Sequence, residues 1–530
     1  MGLLQVHSFV AGQWAAPAGD VVPLHNAFTG ALIGHAGAGA PDVAAMYDHA
    51  LATGGPALRA MTFHDRARML KALAQYLSAR KNELYELSYL TGATKSDSWI
   101  DIDGGIGTTF VFASKGRREM PDAHVYLDGD VEMLSRRGSF VGQHVCTPLQ
   151  GVAVHINAFN FPVWGMLEKL APTLLAGMPA IVKPATVTGY LTEAAFRMII
   201  ESGLLPDGAV QLVSGRLGPL LDMLGPQDAV SFTGSAVTGV MLRGTPNLLE
   251  RSVRFSAEQD SLNATILGPD VMVGDPEFDL FIKEAAGEIT AKAGQKCTAV
   301  RRILVPEALR QPVAEALRAA LDDVAIGDPR LKEVGMGALA SGGQKQDVLA
   351  KCEMFKGEAR CIIGGEAPRL TGEDLAGGAF VAPTIFDCAD PDGATHLHEQ
   401  EAFGPVACLM AYRKLGHAAV LANRGGGALV TSVVTRDREV VHSLVAASAC
   451  HHGRLYFNNR DSMAEATGHG APLPHMVHGG PGRAGGSEEL GGVRAVKHYM
   501  QRTALQGSPD LLSAAGETWL VGSATHQGPT

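Results

Sequence analysis

The sequence predicts an α/β fold built on two parallel, helix-covered, Rossmann-like sheets. Two observations carry this expectation. Residues 151–270 alternate short apolar runs with helical periodicity, and a second alternating stretch begins at Pro276. Strands that alternate with helices pair in parallel through βαβ crossovers, which cover both sheet faces. At 530 residues the chain is too long for one core, so two or three domains are expected.

Each element has a local reason. "GVAVHIN" (151–157) is a short apolar strand, and Pro162 suits the first turn of the helix after it. Gly177 is placed to stop that helix. "AIVKP" (180–184) is a second buried strand. Leu191, Ala195, Met198 and Ile199 then recur at helical spacing until Gly203 and Pro206. "AVQLV", "AVSFTG" and "RSVRFSA" are three more strands. Farther on, "PEFDLFIKEAAGEITAKAGQ" (276–295) is helical and "AVRRILVP" (299–306) is a strand. Residues 307–325 are mostly helical despite Pro312, and "ALVTSVVT" (428–435) is a buried strand followed by a helix. "HGGPGRAGGSEELGG" (478–492) is too rich in glycine for a regular element and reads as a loop.

Composition narrows the function classes. Hydrophobic content of 46% with 18% charge fits a soluble globular protein. A net charge of −10 argues against nucleic-acid binding. Seven cysteines with no CxxC pair suggest neither a disulfide framework nor a zinc knuckle, and point to a reducing compartment. The start lacks a signal peptide, and the apolar run 171–182 is short and broken by Gly177 and Pro179. A cytoplasmic protein with no membrane contact is expected.

Ligands of parallel sheets bind at the carboxyl ends of the strands. Here those ends carry Asn160, Lys183, Gly234 with Ser235 and Gly239, and Glu258. A strand-end glycine turn lets a backbone approach a pyrophosphate, and a lysine supplies a point charge for a ribose or phosphate. An amide such as Asn160 can donate to a developing oxyanion, and Glu258 is a general-base candidate. Cys297, in "AGQKCTAVRR", is a possible nucleophile, with Lys296 beside it. Glu401 and Phe403 precede a Gly-Pro turn. Each residue alone also has an ordinary structural reading; cysteine is among the most buried residue types. His396, His398 and Glu399, and the pair His451–His452, read as surface-loop residues because no distant ligand set matches them. No metal site is expected.

The order of these features is specific. "INAFNFP…VKPAT…LVSGRLGP…FTGSAVTG…SAEQD…GQKCTAVRR…EAFGPV…LYFNN…EELGG" resembles the aldehyde dehydrogenase superfamily over roughly residues 5–510, and "FVAGQW" fits its first hairpin. The resemblance implies an aldehyde dehydrogenase-like fold: a dinucleotide-binding domain (1–133 and 149–258), a catalytic domain (259–478), and a small β oligomerisation arm (134–148 and 495–515) serving a homodimer or homotetramer. It makes Cys297 the nucleophile, Glu258 the general base, and Asn160 with the Cys297 backbone N–H the oxyanion hole. It places Lys183, Gly234, Ser235 and Gly239 on the dinucleotide, Glu401 on the nicotinamide ribose and Phe403 near the nicotinamide. The implied activity is NAD(P)-dependent oxidation of an aldehyde to its acid through a cysteine thiohemiacetal and a thioacyl-enzyme.

Three departures refine the resemblance. Thr186 stands where the family often has Glu, which removes repulsion of a 2′-phosphate. With Lys183 and Arg216 nearby, NADP is expected to be preferred over NAD. "AEQDS" replaces the usual glycines after the base. The segment from Asn458 to Glu489 is longer than in common members and is placed at the active-site mouth. With "NFPVWGMLEKLAPT" and "GGVRAVKHYMQRTALQGSP", it resembles a narrower group that oxidises CoA-linked ring-cleavage semialdehydes. One such enzyme is half of a bifunctional phenylacetate-pathway protein. The other is stand-alone in aerobic benzoate degradation, which the chain length favours. The competing expectations are a broad aldehyde-detoxifying enzyme, a CoA-acylating aldehyde dehydrogenase, and a non-catalytic dinucleotide-binding protein on the same fold.

Overall fold

A computed structural model describes residues 2–523. Two seven-stranded sheets dominate it. The first runs, in spatial order, Arg254–Glu258, Ala229–Thr233, Ala153–Ile156, Ala180–Lys183, Val210–Leu212, Ser8–Val10 and Gln13–Ala15. Its first five strands are parallel. The last two form an antiparallel hairpin whose turn residues, Ala11 and Gly12, both have positive φ. That matches the two-residue turn that suits strand twist.

Side-chain alternation explains the layers. Ala153, Ala180 and Val182 pack against helices Phe63–Arg80, Trp164–Ala176 and Gly189–Glu201. Val154, Ile156, Ile181 and Val230 pack on the opposite face against Met46, Leu220 and Leu248. The period of two puts neighbouring residues on opposite faces, so a strand buried on both sides must be apolar throughout. Gly177 caps its helix with φ 97°, as its position predicts. Pro162 lies just ahead of the helix, whose first residue is Trp164.

The second sheet runs Arg360–Ile363, Thr384–Cys388, Val406–Tyr412, Arg302–Pro306, Ala264–Leu267, Ala428–Val434 and His452–Asn458. All its pairings are parallel except the first. Pro312 sits in the first turn of helix Arg310–Asp322, where its missing N–H costs no helical bond. A third, antiparallel sheet pairs Met500–Gly507 with Val141–Pro148 along their whole length. Tyr126–Leu127 and Glu132–Met133 join the same strand, so this sheet begins before residue 134.

Three expectations need correction. The glycine-rich segment is not an irregular loop. Val477–Gly480 and Ser487–Leu490 form an antiparallel hairpin around a short 3₁₀ turn. It seats between the edge strand of the first sheet and that of the second: Ser487 Oγ accepts from Ala257 N at 2.8 Å, and a Cβ at Gly453 would lie 1.6 Å from Gly479 O. The glycines permit close backbone approach, and the hairpin covers two exposed edges. The helix from Pro276 stops at Thr290, short of the expected residue 295. His398 and His452 are buried, not surface-loop residues. His398 bonds Arg302 and Pro391 O, and His452 bonds Thr431 and Asn423, so both are core histidines. Among the described residues, no helix is long and apolar enough to cross a membrane.

Candidate active site

The carboxyl edge of the first sheet meets the amino edge of the second, and the chain crosses between them in residues 259–263. Register places Lys183 level with Ile156, and Thr233 level with Glu258, on that carboxyl edge. Cys297 precedes strand Arg302–Pro306, and Glu401 precedes Val406–Tyr412, so both sit at the opposing amino edge.

The turn that presents Cys297 is strained. Lys292, Ala293 and Gly294 have φ of 53°, 51° and 69°, and two of them are not glycine. Such residues cost of order ~1–3 kcal/mol each and persist only where surroundings hold them. Here Lys292 N donates to Asp97 at 2.6 Å and Lys292 Nζ to Thr91 at 2.9 Å. Arg301 donates to Gly294 O at 3.0 Å, and a Cβ on Gly294 would meet Gly404 O at 2.1 Å. Beyond the turn, Asn263 Nδ2 donates to the carbonyls of Cys297 and Ala299 at 2.8 and 3.0 Å.

A largely apolar cavity of about 700 Å³ opens onto the thiol. Asn160, Glu258, Cys297 and His478 line it, with Trp99 and Trp164 among the apolar walls and residues 470–475 of the long segment on another side. Cys297 Sγ, a Glu258 carboxylate oxygen and a His478 ring nitrogen lie within 4.8 Å of one another. His478 Nε2 is 3.1 Å from Glu258, and both side chains are buried. Burial raises the Cys297 pKa well above the usual thiol range, and the negative charge of Glu258 adds to it, so the resting thiol is protonated. Burial also opposes ionisation of Glu258, but the charge and hydrogen bond of His478, joined by the charge of Lys169 and a hydrogen bond from Cys297, outweigh it and bring the carboxyl down to about 2.

Asn160 is buried, and its Nδ2 donates to Gln295 O at 3.0 Å. The amide carries two hydrogens, which leaves one for an incoming oxygen. Behind Glu258 lies a buried charge cluster. Lys169 Nζ donates to Thr233 at 2.7 Å and lies 3.4 and 3.5 Å from Glu168 and Glu489. Trp164 donates its indole N–H to Glu168 at 2.8 Å. Burial raises Glu489 to about 7 despite Lys169.

Lys296 does not aim at the thiol. It lies between both oxygens of Glu288, at 2.9 and 2.8 Å, with its charge neutralised. Glu401 pairs with Arg301 at 3.0 Å and accepts from Ser261 N at 3.1 Å; burial still lifts it to about 7. Phe403 packs edge-on against Phe159, 5.7 Å between centroids, with the Arg301 guanidinium on its ring.

The residues assigned to a dinucleotide share the first sheet's carboxyl edge. Burial alone lowers the Lys183 pKa, with no carboxylate acting on it, so its ammonium has unused capacity for an anionic or hydroxyl partner. Thr186 opens a 3₁₀ turn just beyond, and Arg216 follows strand Val210–Leu212. Ser235 caps helix Ala236–Arg243, accepting from Thr238 N at 3.3 Å. Gly234 N donates to Glu258 O at 3.1 Å, and Gly239 makes room for Gln259, whose Nε2 would lie 2.2 Å from a Cβ. The same helix leaves Val237, Val240 and Met241 exposed at 81%, 70% and 65%, an uncovered apolar face that a flat aromatic base could occupy. These features fit a dinucleotide.

Sequence reasoning missed His478, Lys169, Glu489, Asn263 and Glu288. Only His478 and Glu489 carried a signal, as acid–base residues inside a segment dismissed as a loop.

Known proteins resemble this chain in sequence and in fold. The model of the aldehyde dehydrogenase family matches residues 14–504. The 3,4-dehydroadipyl-CoA semialdehyde dehydrogenase of Aromatoleum evansii is 40% identical over 480 residues, covering 90% of this chain and 93% of that protein. Protein MaoC of Klebsiella aerogenes is 48% identical over 194 residues, 36% of this chain and 56% of that protein. The betaine aldehyde dehydrogenase of Staphylococcus aureus, solved with NAD+, superposes with a TM-score of 0.81 at 21% identity, over 99% of this chain and 97% of that one. A lactaldehyde dehydrogenase structure gives a TM-score of 0.82 at 22% identity, over 95% and 99% of the two chains. The chain belongs to the aldehyde dehydrogenase family.

Proposed function

We propose that the protein oxidises the aldehyde group of a CoA-linked semialdehyde to a carboxylic acid, using a nicotinamide dinucleotide with NADP preferred. The observation that carries the reaction is the set Cys297, Glu258 and Asn160 on one apolar cavity. Glu258 takes the thiol proton, and the thiolate adds to the aldehyde carbon. The oxygen that gains charge is held by the free hydrogen of the Asn160 amide and the Cys297 backbone N–H. When bound, the dinucleotide supplies the hydride acceptor. Lys183, Thr186, Arg216, Gly234, Ser235 and Gly239 hold it on the sheet edge. Glu401 and Phe403 face its nicotinamide end.

Release of the acyl group is the second task. Glu258, once it has released the thiol proton to solvent, removes a proton from water so that the oxygen attacks the thioester carbonyl, and Cys297 leaves as the thiolate. Retention of this carboxylate favours hydrolysis over transfer to free CoA. The CoA-linked substrate rests on likeness to the Aromatoleum evansii enzyme, which is named for such a semialdehyde. The deep apolar cavity suits an extended acyl chain. Assembly into a dimer or tetramer through the third sheet is part of the same proposal.

Steady-state assays with a panel of aldehydes test it. The expected result is highest kcat/KM for a CoA-linked semialdehyde, free acid as product, and loss of activity in Cys297→Ala. Equal efficiency with short aliphatic aldehydes would overturn the substrate assignment, and a new thioester product would overturn hydrolysis.

A further inference from the structure

We infer that His478 is a positioning residue for the reaction: as an imidazolium it holds Glu258 beside Cys297 and serves as counter-ion to the thiolate. This rests on Cys297 being the nucleophile. The hairpin 477–490 exists in a form that delivers this side chain. Its two strands wedge between the sheet edges, and the register Val477↔Leu490 and His478↔Glu489 places His478 over the end of strand Arg254–Glu258.

The electrostatics of the trio give the ring its role. Cys297 Sγ, Glu258 and His478 are mutually within 4.8 Å; Glu258 and His478 are buried, and Cys297 is half-buried on the cavity wall. A lone carboxylate in such a place would take up a proton instead of staying charged. Other charged groups facing the ring are Glu168 and Glu489, which favour its protonation, and Arg454, which opposes it. Burial also opposes it, but Glu258 prevails, and the imidazolium persists above its ordinary range.

Thiol activation is then an internal transfer. The S–H bond of Cys297 breaks, an O–H bond forms on Glu258, and His478 keeps its proton. One negative charge moves from oxygen to sulfur while the positive ring stays within 4.8 Å of both. The trio keeps its net charge and its proton count, so no charge is created in the apolar cavity. Without the imidazolium, the same transfer would leave the thiolate with only Arg454 as a cation acting on it.

This arrangement has a signature in the alkylation of Cys297 by iodoacetamide, followed by peptide mapping without cofactor. The thiolate–carboxylic acid form carries as many protons as the resting form, so its population does not depend on pH. The wild-type rate is expected to hold a plateau from about pH 6 to 7.5, where an ordinary thiol with pKa near 8.5 loses about tenfold per unit. His478→Gln is expected to lower the plateau at least tenfold, and His478→Lys to restore part of it. Glu258→Gln is expected to abolish the plateau and return a tenfold fall per unit. A wild-type rate that falls tenfold per unit, or an unchanged plateau in His478→Gln, would overturn the inference. The wild-type profile stands even where a variant fails to fold. Activity in Cys297→Ala separately tests the nucleophile assignment, so the two failures are distinguishable.

Discussion

Lys296 Nζ is clamped between the two carboxylate oxygens of Glu288, at 2.9 and 2.8 Å, one residue from Cys297. The pair is buried, and Glu288 also accepts from Gly470 N at 3.1 Å, which ties the long segment to the turn that carries Cys297. Removing one partner leaves an uncompensated buried charge, at a cost of ~3–5 kcal/mol. Glu288→Gln is therefore expected to lower the denaturation midpoint sharply. The double variant Lys296→Met/Glu288→Leu is expected to recover most of the loss. Urea titration of the three proteins checks this; a Glu288→Gln midpoint equal to wild type would show the pair to be inert.

In the proposed mechanism Asn160 and Glu258 act at different stages, and burst kinetics separate them. Glu258→Gln retains some thiolate at alkaline pH but cannot activate water. It is expected to give a burst of reduced cofactor near one per active site, followed by turnover slowed ~10²–10⁴-fold. Asn160→Ala lacks an oxyanion donor and is expected to slow the burst itself, by about 10²–10³-fold. Rapid-mixing absorbance measurements distinguish the two patterns.

The proposed preference for NADP turns on charge at Thr186. A carboxylate at this position would face a 2′-phosphate at short range, where like charges repel by ~1–4 kcal/mol. Thr186→Glu is expected to lower kcat/KM for NADP by at least about tenfold and leave NAD nearly unaffected. Wild-type efficiency with both cofactors provides the reference, and a wild-type preference for NAD would reverse the assignment.

His155 connects stability to pH. Its Nε2 lies 3.1 Å from Thr173 Oγ1, between the first sheet and helix Trp164–Ala176, and burial brings its pKa down to about 3. In the unfolded chain an imidazole titrates near 6.5. Between these values the unfolded state binds more protons, so the histidine's contribution is full above about pH 6.5 and falls as the pH drops. The stability difference between wild type and His155→Gln is expected to shrink by up to ~1.4 kcal/mol per pH unit below 6.5. Taking the difference cancels the buried acids Glu401 and Glu489, which titrate near 7 and act in the opposite sense. Urea titrations at pH 7.5, 6 and 5 check the slope.

The sequence by itself determined the alternating strands, the helix stop at Gly177, and the order in which Asn160, Lys183, Ser235, Glu258 and Cys297 follow one another. These are local properties: a strand's apolar run, a turn's glycine and a residue's place at a strand end depend on near neighbours in the chain. Only the tertiary structure decided what surrounds the thiol. Lys292 is held by Asp97, Cys297 O by Asn263, and Glu258 by His478, each brought together by how the sheets meet. The glycine-rich segment shows why such partners escape notice. Its glycines suggest a free loop, yet Gly480 and Gly485 allow a hairpin to press its backbone against Ala428 O of the second sheet and Ala257 O of the first. A glycine's local signal is the same whether it gives freedom or close approach, and only the facing backbone distinguishes the two.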